Sequence, residues 1–333
     1  MAYIEINKQN LYYNLNQIAL KTGSVDKISV VLKDNAYGHG LEVIAKLCSQ
    51  YGIKHAVVKN YQEALSIKKY FQTILVLNDK PTPDDKVSFA INSLDDISLA
   101  KPNSKVELKV DTGMHRNGID IAQLDMALSR IKSKNLNLIG AMTHYRSADV
   151  LSSELFWQIK KFDGIKKELK SRFDNLRYHS CNSAALFRQN KFNEDIARVG
   201  IGLYGYNELP QIYNKIDLKP VMKLFANKKS TRVIKKGQRI GYGGDFVASK
   251  DMIVSTYDLG YGDGWSRANY TDSYITPEGY TFLGRVSMDF VSVDSDDDTI
   301  CIFDNAQTVA KQHKTITYEI FTTLSSNILR III

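Results

Sequence analysis

The chain has 333 residues, of which 44% are hydrophobic and 24% are charged, and its formal net charge is +8 at pH 7. This composition is ordinary for a soluble globular protein, and the length predicts two domains. The basic residues are scattered and form no long run and no nucleic-acid module, which disfavours DNA or RNA as a partner. The excess of positive charge instead favours the attraction of anionic ligands.

Cysteine usage and the N-terminus indicate a reducing compartment. Cys48, Cys181 and Cys301 are far apart and odd in number, so we expect neither a disulfide scaffold nor a metal site. The first six residues lack the charged start and apolar run of a signal peptide, and no apolar run reaches the ~20 residues of a membrane helix. We therefore expect a cytoplasmic protein with no membrane partner.

The first two thirds of the chain alternate between strand and helix patterns. After a short strand candidate at 4–6, helical patterns such as 63–67, 121–131 and 153–169 separate eight short apolar runs. These runs are 28–32, 55–58, 73–77, 88–91, 105–110, 136–142, 176–179 and 197–203. Eight strand-then-helix units in about 200 residues predict a (β/α)8 TIM-type barrel. An open doubly wound sheet is the alternative, although its usual dinucleotide fingerprint is absent.

From about Lys219 the pattern changes to short β-rich runs punctuated by glycines. These runs are 221–225, 231–234, 252–257, 280–286, 290–293 and 299–303, and a short helix over 316–324 follows them. They predict a mainly-β domain. We expect an α/β protein in which a barrel over 1–218 precedes a C-terminal β-domain over 219–333.

Lys33 stands at a place where α/β folds carry their chemistry. The β-branched run 28–32 ends just before it, and helical spacing begins at Leu41. The residue therefore lies where a strand passes into a loop. It is either a solvated loop lysine or a partly buried amine, whose neutral form can make a Schiff base.

The segment that begins at Lys33 resembles a known family. Lys33-x-Asn35-Ala36-Tyr37-Gly38-His39-Gly40 is similar to the pyridoxal phosphate (PLP) lysine segment of alanine racemases. The resemblance implies that Lys33 binds PLP and that Tyr37 adds a hydrogen bond to the cofactor phosphate. It also implies a barrel followed by a β-domain.

Two later segments resemble the phosphate site of the same family. They are His179-x-x-Asn182-Ser183-Ala184-Ala185 and Arg198-x-Gly200-Ile201-x-x-Tyr204-Gly205. On the residues alone, a buried final strand with a packing glycine is an equally good interpretation. The resemblance implies that Asn182, Ser183, Gly200 and Ile201 hold the phosphate, as late strand-to-helix loops of barrels often do.

Arg198 matches the family's arginine that faces the pyridine nitrogen. An arginine only donates hydrogen bonds, so it should keep that nitrogen unprotonated. Without this context the default would be a surface ion pair with Glu194 or Asp195. His144 resembles the histidine that lies against the cofactor ring and supports this arginine, although a histidine at a strand end is more often structural.

Four further residues match the family's catalytic and substrate-binding positions. Tyr261 resembles the second base, which enters the active site from the other subunit, although a tight turn would also explain a tyrosine between glycines. Arg116 and the main-chain amide of Met288 resemble the groups that bind the substrate carboxylate. Lys109 resembles a lysine that some members carry as a carbamate, which would make a charge-assisted pair with Arg116.

The resemblance implies a homodimeric isomerase that interconverts L-alanine and D-alanine by two-base proton transfer, supplying D-alanine for peptidoglycan. A broader racemase of serine and alanine is an alternative, because Ser326 stands where some members have a tyrosine that lines the substrate entrance. A non-catalytic PLP-binding barrel is another, although such proteins lack the β-domain. Asp34 stands where alanine or valine is common in the family, and Arg146 stands where a small residue is common.

Overall fold

The structure is a computed structural model that describes residues 1–210, 212–213, 216–267 and 273–333. It contains two compact units. The barrel unit comprises Gln9–Ala36 and Leu41–Lys219, and the β unit comprises Met1–Lys8, Tyr37–Gly40 and Pro220–Ile333. Strand β1 (Tyr3–Ile6) opens the chain and belongs to the β unit. The sequence-based division counted residues 1–8 with the barrel, and β1 departs from it because its hydrogen-bonding partners are strands from the end of the chain.

Eight parallel strands form the sheet of the barrel unit. They are β2 (Ile28–Val31), β3 (His55–Val58), β4 (Thr73–Val76), β5 (Val87–Ile91), β6 (Lys105–Lys109), β7 (Asn137–Met142), β8 (Arg177–His179) and β9 (Ala197–Val199). Strands that are consecutive in the chain pair with each other from β2 to β8, and β9 pairs with β2. This order makes a nearly closed barrel, since a doubly wound sheet reverses its strand order partway. The barrel prediction is confirmed.

Helices lie between successive strands of the barrel, except between β4 and β5, which residues 77–86 join without a helix. They are α1 (Lys8–Thr22), α2 (Lys33–Tyr37, a single left-handed turn), α3 (Leu41–Tyr51), α4 (Tyr61–Ile67), α5 (Leu94–Leu99), α6 (Leu124–Ser133), α7 (Glu154–Lys170) and α8 (Ser183–Arg188). The predicted helices at 63–67, 121–131 and 153–169 are α4, α6 and α7, with slightly different ends. Within the described ranges, no helix combines the length and the apolar character that crossing a membrane requires.

The barrel strands are buried on both faces. No residue of β2 or β5 is exposed. This explains why the sequences of these strands are continuous apolar runs, without alternation of apolar and polar residues. Helix α6 packs its buried positions Leu124, Ala127, Leu128 and Ile131 against this sheet, at the spacing of one helical face. Polar side chains inside such a barrel are costly unless they are hydrogen-bonded.

The β unit is built around one long strand. Its strands after β1 are β10 (Met222–Ile234), β11 (Arg239–Ile240), β12 (Phe246–Val247), β13 (Met252–Tyr257), β14 (Val291–Val293), β15 (Thr299–Phe303) and β16 (Leu329–Ile332), with helices α9 (Ala306–Gln312) and α10 (Thr317–Thr322). The main sheet runs β14-β13-β10-β1-β16, and β15 also pairs with β10. The expectation of a mainly-β second part is confirmed.

Three predictions within this unit differ from the structure. The runs 221–225 and 231–234 are a single strand, β10, whose pairing shifts register at Leu224/Phe225 and Lys228/Ser230. The run 280–286 forms only isolated bridges. Its strand-like sequence pattern comes from apolar residues such as Phe282 and Leu283, which are buried without forming a regular ladder. The helix over 316–324 is shorter, and α9, which was not predicted, precedes it.

A buried asparagine of α1 ties the helix to the end of the barrel unit. Asn14 Nδ2 donates to Leu203 O at 3.1 Å and to Lys219 O at 2.8 Å, and Lys219 N donates to Asn14 Oδ1 at 2.8 Å. The side chain is fully buried. Without it, two carbonyls and one N–H would lose their partners.

We expect Asn14→Ala to lower the free energy of unfolding by about 2–4 kcal/mol, since three hydrogen bonds of about 1 kcal/mol each are lost. The control is Asn16→Ala, which changes an exposed asparagine of the same helix and should stay within about 0.5 kcal/mol of the starting protein. Urea unfolding of both variants measures the difference. Equal losses would contradict the role given to Asn14.

Candidate active site

The residues singled out in the barrel unit gather at the carboxyl ends of its strands, the end at which barrels place their active sites. Lys33 follows β2, Lys109 ends β6, His144 follows β7 and Ser183 follows β8. Arg198 lies within β9. The chain thereby brings together residues that are up to 165 positions apart, from Lys33 to Arg198.

Positive charge is concentrated at this end of the barrel. Burial lowers the pKa of His144 to about 3, and the charges of Arg198, Lys109, Arg116 and Lys33 contribute to that shift. The imidazole is therefore neutral at physiological pH. Such an arrangement favours an anionic ligand, because an anion relieves the repulsion between these groups.

Lys33 is followed by a left-handed turn. Asp34, Asn35, Ala36 and Tyr37 have φ between 51° and 56°. This conformation costs roughly 1–2 kcal/mol per residue for L-amino acids, and aspartate and asparagine tolerate it best. Asp34 and Asn35 therefore suit this turn better than most other residues would. The side chain of Asp34 also forms an ion pair with Lys59 at 2.8 Å.

Specific hydrogen bonds hold this turn. Asn35 Oδ1 accepts from Leu41 N at 2.8 Å, Asn35 N donates to Glu63 Oε1 at 3.2 Å, and Ala36 N donates to Leu32 O at 2.8 Å. The turn is therefore fixed on both sides, and so is the backbone from which Lys33 projects. Tyr37 is buried, and its ring centroid lies 5.9 Å from that of Tyr318 within the β unit.

Two main-chain amides converge on Ser183. Gly200 N and Gly202 N donate to Ser183 Oγ at 3.2 Å and 3.1 Å. Neighbouring N–H groups aimed at one point are typical of phosphate cradles. A Cβ on Gly202 would lie 2.7 Å from the Phe187 ring, so the cradle requires glycine there.

The cradle differs in detail from the sequence prediction. Gly202 was not assigned to it, although its glycine identity was a usable signal. Ile201 was assigned, and its side chain is buried while its carbonyl accepts from Tyr204 N and Tyr206 N. Asn182 is the N-cap of α8, since its Oδ1 accepts from Ala185 N at 2.9 Å. It therefore shapes the loop that carries Ser183.

Arg198 is buried and held by four hydrogen bonds. Its Nη1 donates to His179 Nδ1 at 2.6 Å and to His179 O at 2.8 Å. Its Nη2 donates to Thr143 O at 2.6 Å and to Ser180 O at 3.2 Å. All four Nη hydrogens are thus used in hydrogen bonds. The Nε–H group has no acceptor among the described residues. The alternative of a surface ion pair does not hold.

The histidine that bonds Arg198 is His179 rather than His144. None of the hydrogen bonds described for Arg198 goes to His144. The neighbouring Thr143 O accepts one of them, and the charge of Arg198 helps to lower the pKa of His144. Sequence reasoning placed His179 in a matching segment but gave it no role. Its position two residues before Cys181, at the end of a strand pattern, carried no chemical signal of its own.

Lys109 lies near two arginine charges. Burial lowers the pKa of Lys109 to about 8, with further contributions from Arg116 and Arg198. Its Nζ donates to Asn92 Oδ1 at 3.4 Å.

Arg116 is exposed, on a loop that Asp111 shapes by accepting hydrogen bonds from three main-chain N–H groups. A polar cavity of about 390 Å³ lies beside this loop and is lined in part by Asn92 and Arg116.

The β unit carries Tyr261 and Met288 side by side. Tyr261 N donates to Ser287 O at 3.0 Å, and Gly262 N donates to Met288 O at 2.8 Å. A Cβ on Gly260 would lie 2.0 Å from Met288 O, so the close approach of the two segments requires glycine. Tyr261 and Met288 are both exposed. Among the described residues, the Met288 N–H has no acceptor.

These observations fit PLP. The amides of Gly200 and Gly202 with Ser183 would hold its phosphate, and Arg198 Nε–H would face its ring nitrogen. Lys33 supplies an amine at the same end of the barrel. Within the described ranges, no cluster of three or more histidine, cysteine or carboxylate side chains is arranged to hold a metal ion.

Comparison with known proteins agrees with this assignment. The family model of the alanine racemase N-terminal domain matches residues 6–208, and that of the C-terminal domain matches residues 221–332. An alanine racemase of a Nitratiruptor species is 44% identical over 335 residues, covering 99% of each chain.

Solved structures give the same result. An alanine racemase structure from Clostridium difficile 630 aligns with a TM-score of 0.89 at 26% identity, covering 100% of this chain and 95% of that one. A histidine racemase from Leuconostoc mesenteroides subsp. sake aligns with a TM-score of 0.87 at 25% identity, covering 100% and 98%. Because both family models match, and because a curated relative is 44% identical over its full length, the chain belongs to the alanine racemase family.

Proposed function

We propose that Lys33 and Tyr261 are the two bases with which this chain interconverts L-alanine and D-alanine. Alanine racemases are PLP-dependent, and racemisation of alanine, which supplies D-alanine for the cell wall, is the activity of the family to which the chain belongs. The observation that carries the residue assignment is the convergence of two amides on Ser183 at the same barrel end as Lys33 and Arg198.

The residues divide the chemistry between them. When bound, PLP withdraws electrons from the substrate and so makes its α-proton acidic. Lys33 Nζ takes or returns a proton on one face of the α-carbon, and Tyr261 Oη does so on the other. Arg198 only donates, so it would keep the ring nitrogen of bound PLP unprotonated and limit side reactions. His144, neutral at physiological pH, would help to hold the ring.

Arg116 and the main-chain N–H of Met288 are proposed to bind the substrate carboxylate. A guanidinium matches a carboxylate in charge and geometry. The Met288 N–H supplies a second donor, and its segment is tied to Tyr261 by the hydrogen bond from Gly262 N to Met288 O. A carboxylate bound there would place the α-carbon near the tyrosine.

We propose that the protein is a cytoplasmic homodimer. Residues 1–218 would hold PLP, with Tyr37 donating a hydrogen bond to its phosphate, and residues 219–333 would complete the site of the partner subunit. The exposure of Tyr261 and Met288 supports this arrangement, because catalytic groups left open on one chain are expected where a second chain covers them.

Lys109 is proposed to be carbamylated. With a pKa of about 8, roughly a quarter of the amine is neutral at pH 7.5, whereas an ordinary lysine is almost entirely charged. A neutral amine adds to carbon dioxide and loses one proton, which gives an anionic carbamate. The product would replace repulsion between Lys109 and Arg116 by a charge-assisted pair.

A broader racemase is the second candidate. The likeness to a histidine racemase supports it, because that protein adopts the same fold at 25% identity with a different named substrate. Ser326, where some alanine racemases carry a tyrosine at the entrance, favours wider access. L-Serine is the first alternative substrate to assay beside alanine.

The two-base assignment predicts different proton exchange from the two enantiomers. Tyr261→Phe should lower racemisation by about 10²–10⁴-fold, the usual contribution of general acid–base catalysis. In deuterium oxide, D-alanine should still exchange its α-proton through Lys33, whereas exchange from L-alanine should nearly stop. Proton NMR measures both rates. Tyr242→Phe, an exposed tyrosine of the same unit, is the control and should behave as the unchanged protein. Equal exchange from both enantiomers would refute Tyr261 as the second base.

The shared site predicts complementation between inactive variants. Lys33→Ala and Tyr261→Phe should each be nearly inactive, yet mixed dimers would contain one intact site and should recover part of the activity. The racemisation rate after subunit exchange measures this. If exchange is demonstrated by mass spectrometry and no activity returns, Tyr261 serves its own subunit's site.

The carbamate predicts a carbon-13 signal. Protein equilibrated with ¹³C-bicarbonate at pH 7.5 should show a carbamate resonance that Lys109→Arg abolishes. Lys105→Arg, four residues earlier on the same strand, should retain it. A resonance that survives in Lys109→Arg would assign the modification to another lysine, and the absence of any resonance would refute it.

A further inference from the structure

A buried carboxylate lies behind the histidine that holds Arg198. Glu107 Oε2 accepts from His179 Nε2 at 2.5 Å. Its other oxygen, Oε1, accepts from Ser88 Oγ at 2.7 Å and from Arg177 Nη2 at 2.5 Å. Glu107 is fully buried. A hydrogen-bonded chain therefore runs through the barrel interior from Arg198 through His179 and Glu107 to Arg177.

The local sheet is shaped to admit this carboxylate. Glu107 pairs with Gly140 on β7, and Gly140 pairs with Arg177 on β8, so the glutamate side chain crosses over the glycine. A Cβ on Gly140 would lie 2.8 Å from Glu107 Oε2 and 2.9 Å from Arg177 O. The β6–β7 ladder also shifts register between Val106 and Glu107. Such bulges re-aim side chains and are frequent beside active sites.

The direction of each hydrogen bond determines which atoms between Arg198 and Glu107 carry a proton. Arginine has no acceptor, so Arg198 donates to His179, and His179 Nδ1 must carry no proton. His179 is then neutral with its proton on Nε2, pointing at Glu107. Burial lowers the pKa of His179, which agrees with a neutral ring. Burial would raise the pKa of Glu107, but the charge of Arg177 and the hydrogen bonds from His179 and Ser88 hold that pKa below its usual range.

We infer that Glu107 is a positioning residue for racemisation: it fixes His179 in the Nε2–H form, which keeps Nδ1 as the acceptor that orients Arg198. This inference rests on the proposed role of Arg198 toward the cofactor. With its Nη hydrogens held by His179 and the main chain, Arg198 keeps Nε–H for the ring nitrogen. An ion pair that merely stabilised the barrel would need Arg177 and Glu107 but would place no requirement on the His179 proton.

Glutamine at position 107 breaks this arrangement in either orientation. If its oxygen faces Arg177 and Ser88, its NH₂ group faces His179 and forces the proton onto Nδ1, opposite the Arg198 donor. If its oxygen faces His179, its NH₂ group faces Arg177 Nη2, and two hydrogen-bond donors then meet without an acceptor. Ser88→Ala is the matched control, because it removes a hydrogen bond to the same carboxylate on the oxygen that His179 does not use.

The experiment measures the tautomer of His179 directly. The chain has six histidines, so ¹⁵N-histidine spectra of the holoenzyme can be assigned with a His179→Asn variant. We expect Nε2–H for His179 in the unchanged protein and in Ser88→Ala, and a shift toward Nδ1–H in Glu107→Gln. Partners that orient a functional histidine are worth about 10–100-fold at metal sites, and we expect a fall of that order in kcat.

Two results would overturn the inference. One is an Nδ1–H or doubly protonated His179 in the unchanged protein. The other is a Glu107→Gln protein that keeps the Nε2–H form and a kcat within about threefold of the starting value, well short of the expected fall. Failure of the unchanged enzyme to racemise alanine would instead refute the proposed function, and the tautomer spectra would remain interpretable without it.

Discussion

The mutual repulsion of cationic groups at one end of the barrel is the constraint on which the site depends. Lys33, Lys109, Arg116 and Arg198 all act on His144, and an imidazole so placed stays neutral. Three of these four cations are tolerated through a local arrangement: four acceptors for Arg198, an asparagine for Lys109 and loop exposure for Arg116. A ligand with a phosphate and a carboxylate would relieve the remaining repulsion between these cations.

Rigidity around the reactive lysine comes from an unfavourable backbone. Four consecutive residues other than glycine adopt left-handed φ after Lys33, and the hydrogen bonds of Asn35 offset part of that cost. A strained turn persists only where its surroundings over-determine it. The same logic applies to Gly260 and Gly202, where close approach of two chain segments, rather than flexibility, explains the glycine.

The sequence predicted the barrel well, because eight apolar runs with intervening helices leave few other folds. The roles of the site residues rest on specific motifs and stay predictions. It did not predict β1 as part of the β unit, since a four-residue strand carries no information about a partner more than 200 positions away. Sequence reasoning assigned no role to His179 or Glu107. A glutamate within a strand pattern is expected to face solvent. Only the register of β6, β7 and β8 reveals that Glu107 points inward across Gly140.

The placement of β1 affects how the protein folds during synthesis. Ile4 and Ile6 are fully buried between strands that begin at Met222 and at Leu329, so both remain without their native neighbours while the whole barrel is translated. At about 5–20 residues per second, that interval is roughly 10–40 s. The barrel can therefore fold as the nascent chain emerges, whereas the sheet that contains the first strand must wait for nearly the last residue. A chaperone that shields the N-terminal segment would act in that interval.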